Sequence, residues 1–252
     1  MEKDDKYCLA MIEDEAEKCQ RENRITSTDF LDMRLQGIAE TEIKSRGVRY
    51  SFDGGYDGAE RRIIVFLPEY ASIDDFRTES PIEILRVIHK MGGKELTHRD
   101  YLGSILGLGI SRSKIGDIIV YPNGADIIIL KDMEEFLLAN YEKAGRAELS
   151  LSIEPIDLLN LSSVKTVTIT DTIASLRLDS VLSVAFRASR TKAQDAIKGG
   201  FVFLNGASVL KPDKEVQKGD VIVLRGRGKC VLEDIGGNSK KGRTFITVKR
   251  YM

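Results

Sequence analysis

The chain of 252 residues contains no tryptophan, only two histidines and only three cysteines, and these scarcities remove several chemistries at the outset. Cys8, Cys19 and Cys230 are scattered without C-x-x-C spacing, so they read as reduced thiols rather than disulfides or zinc ligands. His89 and His98 match no helical metal pair and have no cysteine nearby, so no metal is expected. No G-x-S-x-G elbow presents a serine nucleophile, and neither dinucleotide nor phosphate-loop glycine spacing occurs, so no cofactor and no catalytic residue is expected. No apolar run approaches the roughly 20 residues of a membrane span. The charged start M-E-K-D-D-K is unlike a signal peptide. A cytoplasmic protein without a membrane partner is the expectation.

What is present is ordinary in bulk, with 42% hydrophobic and 31% charged residues. The net charge of −1 conceals an asymmetry. From Ser175 onward there are 16 Lys and Arg against 7 Asp and Glu, a balance of +9; the preceding residues hold 22 bases and 32 acids, a balance of −10. A basic end on an acidic body predicts localised contact with nucleic acid.

The basic end is organised around residues 177–211. Ser175 is the expected N-cap of a helix with Leu178, Val181, Leu182, Ala185 and Phe186 on its inner face. Ser189 caps a second helix with Ala193, Ala196 and Ile197 inside, stopped by Gly199-Gly200. Phe201–Leu204 reads as a strand entering a tight Asn205-Gly206 hairpin. With the apolar faces buried, Arg177, Arg187, Arg190, Lys192, Lys198 and Lys211 stay outside, a surface suited to a phosphate backbone. Ser189, Asn205, Arg225 and Arg227 complete the expected RNA-binding set.

Upstream, residues 7–22 and 32–46 read as amphipathic helices, followed by paired strands at 48–52 and 63–67. The intervening Gly54, Gly55 and Gly58 read as a long hairpin loop needing positive φ, with Arg61 and Arg62 as secondary phosphate contacts. Pro68 to Pro81 reads as an irregular acidic connector and soft boundary. Beyond it come a strand at 82–89, a helix at 97–106 boxed by Thr97 and Asp100, and strands at 117–121 and 126–130. A helix follows at 132–144, capped by Asp132 and Glu135 and ended by Gly145, then a strand at 147–153. That βαββαβ order is ferredoxin-like and shared by RNA-recognition motifs. The candidate central strands carry no aromatic, so base stacking on this sheet is not expected. Arg99, Arg112 and Lys114 are the better secondary RNA contacts there. G-G-N-S-K-K-G-R at 236–243 reads as a mobile basic loop, as much a phosphate contact as a solubilising turn.

The spaced residues R-L-D-x-x-L at 177–182, S-R-x-x-A at 189–193, I-x-x-G at 197–200, V-x-L-N-G at 202–206, Lys211-Pro212 and K-G-D at 218–220 resemble the S4 RNA-binding domain. T-D-F-L-D at 28–32, G-G-Y-D-G-A-E-R-R at 54–62 and the run from His98 to Asp117 resemble signature segments of YlmH-type proteins. Met33-Arg34-Leu35 departs from that family's habit of a proline and an acid. The resemblance implies an α+β chain in three parts: an N-terminal helical and hairpin region (1–76), a ferredoxin-like, RRM-like domain (77–155) and a C-terminal S4 module (172–252). It also implies a non-catalytic protein, expected as a monomer, that binds ribosomal RNA of the large subunit, with or without peptidyl-tRNA. Its expected work is ribosome-associated quality control or rescue, with a less defined link to cell division. The rival readings are an RNA-modifying enzyme, either a pseudouridine synthase or a methyltransferase accessory, and an interaction protein of the division machinery.

Overall fold

The computed structural model describes residues 3–44, 47–89, 96–161, 166–239 and 242–251. Contacts divide the chain into two compact units, Met1–Ser163 and Val164–Met252.

The first unit begins with α1 (Lys3–Glu22), β1 (Thr26–Ser27), α2 (Met33–Lys44), β2 (Tyr50–Asp53) and β3 (Ile63–Phe66). The three strands form an antiparallel sheet in the order β1-β3-β2. Then follow α3 (Ile73–Thr78), β4 (Ile82–His89), α4 (His98–Gly107), β5 (Ile115–Tyr121), β6 (Gly124–Leu130), α5 (Glu134–Asn140), β7 (Lys143–Ala144) and β8 (Ala147–Pro155). Their sheet runs β5-β6-β4-β8-β7, every pairing antiparallel.

Two strands explain why these sheets form one body. In β3, Ile64 and Phe66 pack with Ile12, Ala16 and Cys19 of α1 and Ala39 and Ile43 of α2. Ile63 and Val65, pointing the other way, meet Phe30, Ile82, Ile128 and Leu130. In β6, Ile127 and Ile129 face Tyr101 and Ile105 of α4 and Leu137 of α5, while Ile128 and Leu130 join that shared layer. Both strands are therefore buried along their whole length. Each fully buried isoleucine adds about 1.5–3 kcal/mol of burial free energy. On the sheet face opposite α4 and α5, where an RNA-recognition motif stacks bases, Ile82, Ile128 and Leu130 of the central strands are thus covered by protein, while Glu148, Ser150 and Ser152 of β8 stay exposed.

The Pro68–Pro81 stretch, expected to be irregular, contains α3. Ser72 and Asp75 form a reciprocal capping box, and Phe76 enters the shared core. The helix expected at 132–144 is also different. A 3-10 turn at Lys131–Met133 precedes it, Met133 rather than Asp132 is the N-cap, and α5 stops at Asn140. Tyr141 leaves the helix because its ring is buried and its hydroxyl sits 2.9 Å from Ser104 Oγ. Gly145 (φ +58°) then turns the β7–β8 hairpin instead of ending a helix.

The second unit comprises β9 (Thr166–Ile173), α6 (Leu178–Ala185), α7 (Arg190–Lys198), β10 (Val202–Leu204), β11 (Ala207–Ser208), β12 (Val221–Leu224), β13 (Gly228–Asn238) and β14 (Thr244–Tyr251). The sheet order is β11-β10-β12-β13-β14-β9. Leu178, Val181, Leu182, Ala185, Phe186, Ala193 and Ile197 lay both helices on Val202, Ile222, Cys230, Leu232, Ile246 and Val248. The N-cap of α6 is Arg177, not Ser175. The chain stays extended until then because Val216 N–H donates to Leu176 O (2.9 Å) and Arg177 bridges Glu215. Gly236, Gly237 and Asn238, expected in a loop, lengthen β13; Lys240 and Lys241 lie outside the described residues.

Candidate nucleic-acid interface

The organising group of the second unit is Asp179, fully buried at the second position of α6. Its carboxylate accepts from Gln194 Nε2 (2.8 Å), Arg190 Nε (3.1 Å), Arg177 Nε (3.3 Å) and Ser180 Oγ (3.3 Å). Burial alone would push this carboxyl up; the hydrogen bonds from Gln194, Arg190 and Arg177 outweigh it and hold the group at about 2. One acid thus fixes α7 against the start of α6. Arg177 and Arg190 are partly committed to it, although their side chains are 38% and 53% exposed.

The other expected contacts divide into two groups. Arg187, Lys192, Lys198, Lys211, Arg225 and Arg227 are exposed, and among the described residues their side chains make no hydrogen bond or ion pair. Ser189 and Asn205 are engaged internally. Ser189 Oγ accepts from Lys192 N–H at 3.3 Å as the cap of α7. Asn205 donates to Asp220 Oδ1 (2.7 Å) and accepts from Val221 N–H (2.8 Å). The Asn205-Gly206 turn has φ of +48° and +82°, the two-residue hairpin its sequence predicts, with Leu204 paired to Ala207. It orients the strand edge next to Lys211 rather than offering its own amide.

The secondary candidates of the first unit behave differently. Arg61 donates to the carbonyls of Ile115 (2.9 Å), Phe30 (3.0 Å) and Arg112 (3.1 Å), and burial lowers its pKa against the pull of Asp32 and Asp117. Arg112 donates to Ile115 O and Gly116 O; burial, then the neighbouring Arg61, bring it down to about 10. Lys114 bonds Asp29 (2.9 Å) and Asp132 (2.8 Å). Arg62 Nε donates to Ala59 O. Of the five, Arg99 alone is exposed with no side-chain partner among the described residues. Arg61 ties the loop 54–62 to the segment after α4. Asp117 completes the tie by accepting from Tyr56 hydroxyl (2.8 Å), Glu60 N–H (2.7 Å) and Arg61 N–H (3.0 Å). Gly54 is required there, since a Cβ would lie 2.4 Å from Ala59 Cβ and 2.6 Å from Arg61 O.

One residue escaped the sequence reading and another was seen without its anchor. Gln194 reaches Asp179 across two helices and gave no motif signal. Arg243 stood within the basic 236–243 segment, but its anchor is distant in sequence: it bonds Thr172 through Nε (Oγ1, 3.0 Å) and Nη2 (carbonyl oxygen). Among the described residues no group of three or more His, Cys, Asp or Glu is placed to hold a metal ion, and no helix is long and apolar enough to cross a membrane.

A helix pair pinned by a buried acid, backed by a sheet and presenting unpaired bases, defines an RNA-binding module of the S4 class. The S4 domain family matches residues 176–222, and the family described as "Putative RNA-binding domain in YlmH" matches residues 75–158. The chain is 36% identical over 233 residues to the ribosome-associated protein quality control protein P2 of Bacillus subtilis (strain 168), covering 92% of this chain and 89% of that one. The chain belongs to the YlmH family of S4-domain proteins. A solved structure, the cell division protein ylmH from Streptococcus pneumoniae, matches with a TM-score of 0.50 and 22% identity over 64% of this chain and 97% of that one, which shows the shared fold.

Proposed function

We propose that the protein is a non-catalytic RNA-binding protein that associates with the ribosomal large subunit, contacting its RNA and peptidyl-tRNA in quality control or rescue of obstructed ribosomes. The observation that carries this is the contrast between the units. Arg187, Lys192, Lys198 and Lys211 of the second unit are exposed and unpaired among the described residues, whereas Arg61, Arg112 and Lys114 of the first are bound internally. A face of unpaired bases gives sequence-independent phosphate affinity. Support for the ribosome as the target comes from the relative's name and the length over which the two chains match. The functional division follows 1–76, 77–155 and 172–252, and the protein works as a cytoplasmic monomer. The strand order β5-β6-β4-β8, with α4 and α5 on one face, supports a ferredoxin-like reading of the middle part. Because its central strands carry no aromatic and are covered at Ile82, Ile128 and Leu130, this part serves as scaffold and protein-facing surface rather than as a base-stacking sheet.

The test is stoichiometry. Added to a reconstituted rescue reaction, the protein should saturate near one copy per large subunit and leave ribosomal RNA chemically unchanged by mass spectrometry. Multiple turnovers per protein with a modified nucleotide would contradict the binder reading.

A further inference from the structure

A cleft of about 590 Å³ lies beside the junction of α6 and α7 and is open to solvent. Arg187, Arg190 and Arg243 line it, with Asp171 the one acid among its walls, so the lining carries an excess of two positive charges. Two of its arginines are held in place rather than free to wander. Arg190 is anchored through Nε and Nη2 on Asp179, and Arg243 through the same two nitrogens on Thr172; in each the Nη1 donors stay unengaged among the described residues. Guanidinium groups fixed in advance lose little conformational entropy on meeting a phosphate and match its oxygens with paired donors.

Arg187 adds an independent sign. Ala188 N–H donates to Ser183 O (3.0 Å) and Arg187 N–H to Val184 O (3.3 Å), the paired bonds of a glycine-type helix end with Arg187 at the left-handed position. Its φ is +47°, a conformation that glycine takes freely and a side chain takes at a cost. The Arg187 side chain is exposed and makes no internal hydrogen bond or ion pair among the described residues, so the backbone bonds of the helix end, and not the side chain, hold this conformation. An arginine kept where glycine fits better, with no internal contact of its side chain, points to a role outside the fold.

We propose that this cleft seats one phosphodiester of an RNA strand between Arg187, Arg190 and Arg243, carrying the interface from the S4 segment onto the β9–β14 edge. Arg243 and β9 lie outside residues 176–222, so the binding surface is larger than the S4 match. The inference rests on the RNA-binding reading above.

The experiment uses the full chain and large-subunit ribosomal RNA in filter binding between about 50 and 200 mM salt, with denaturation curves for each variant. Arg187→Gly should raise the denaturation midpoint and yet weaken binding, lowering the salt slope by roughly 0.7–0.9, the loss of one phosphate contact. Arg243→Ala should lower the slope similarly, and Arg243→Lys should restore it in part. Because Arg187→Gly eases the backbone, its loss of affinity cannot come from unfolding, even if Arg243→Ala destabilises the β9 edge. If wild type binds with a salt slope that Lys192→Ala reduces, while Arg187→Gly and Arg243→Ala leave it unchanged, the cleft is overturned and the RNA-binding reading stands. If wild type itself shows no salt-dependent binding, both fall.

Discussion

Arg190 Nε sits 3.1 Å from Asp179 Oδ2, joining a side chain that is 53% exposed to one with no exposed surface. The contact makes one arginine both a strut of the fold and a part of the proposed binding face. It also separates the basic residues into those that hold the module together and those that face outward only.

The first consequence concerns pH. Asp179 is held at about 2, below its ordinary value, so it contributes stability that is complete above the unfolded carboxyl range and lost as pH falls through about 2. That contribution is about 2 kcal/mol at neutral pH. Asp179→Asn should lower the stability of the second unit by about 1–3 kcal/mol. It should also flatten the stability–pH curve between pH 4 and 2, measured by urea denaturation across that range.

Arg190→Ala and Lys192→Ala should part company. Each should reduce the salt slope of RNA binding by roughly 0.7–0.9. Arg190→Ala should in addition cost about 1 kcal/mol of stability, because it removes one donor from a buried carboxylate. Lys192→Ala should leave stability within about 0.5 kcal/mol of wild type. Equal stability of the two variants would show that the Asp179 contact carries no weight.

The Asn205-Gly206 hairpin offers a backbone test. Gly206→Val at φ +82° should strain the turn by about 1–3 kcal/mol. It should also weaken RNA binding by displacing the segment that carries Lys211. A variant with unchanged thermal midpoint would show that the turn relaxes into another type.

Much of the second unit was legible because its signals are local. The Ser189 cap, the Asn-Gly turn and the spacing of Leu178, Val181, Leu182 and Ala185 each depend on neighbours a few residues away. The site was less legible. Arg61, Arg112 and Lys114 look like surface bases in the sequence, and only contacts such as Lys114 to Asp29, 85 positions apart, show that they are internal. The end of α5 at Asn140 follows from the burial of Tyr141, a tertiary effect that helical periodicity cannot register. Arg243 was visible as a charge, but its fixed position depends on Thr172, 71 positions away.

In the first unit, the glycine-rich segment is a packed loop and should respond as one. Gly54→Ala places a methyl group against Ala59 Cβ and Arg61 O. It should destabilise the unit by about 1–3 kcal/mol, with RNA affinity per folded molecule unchanged. A selective loss of RNA binding at full stability would instead make this loop part of the interface.

The central claim is that the outward bases of the second unit bind ribosomal RNA through phosphates. Its most direct test is the affinity of the full chain for purified large subunits across a salt series, for wild type and for the triple variant Lys192→Ala, Lys198→Ala, Lys211→Ala. All three side chains are exposed and unpaired among the described residues, so the variant should fold like wild type. The account predicts tight, salt-sensitive binding by wild type and a slope smaller by roughly 2–3 in the variant. An unchanged slope and affinity in the triple variant would contradict it.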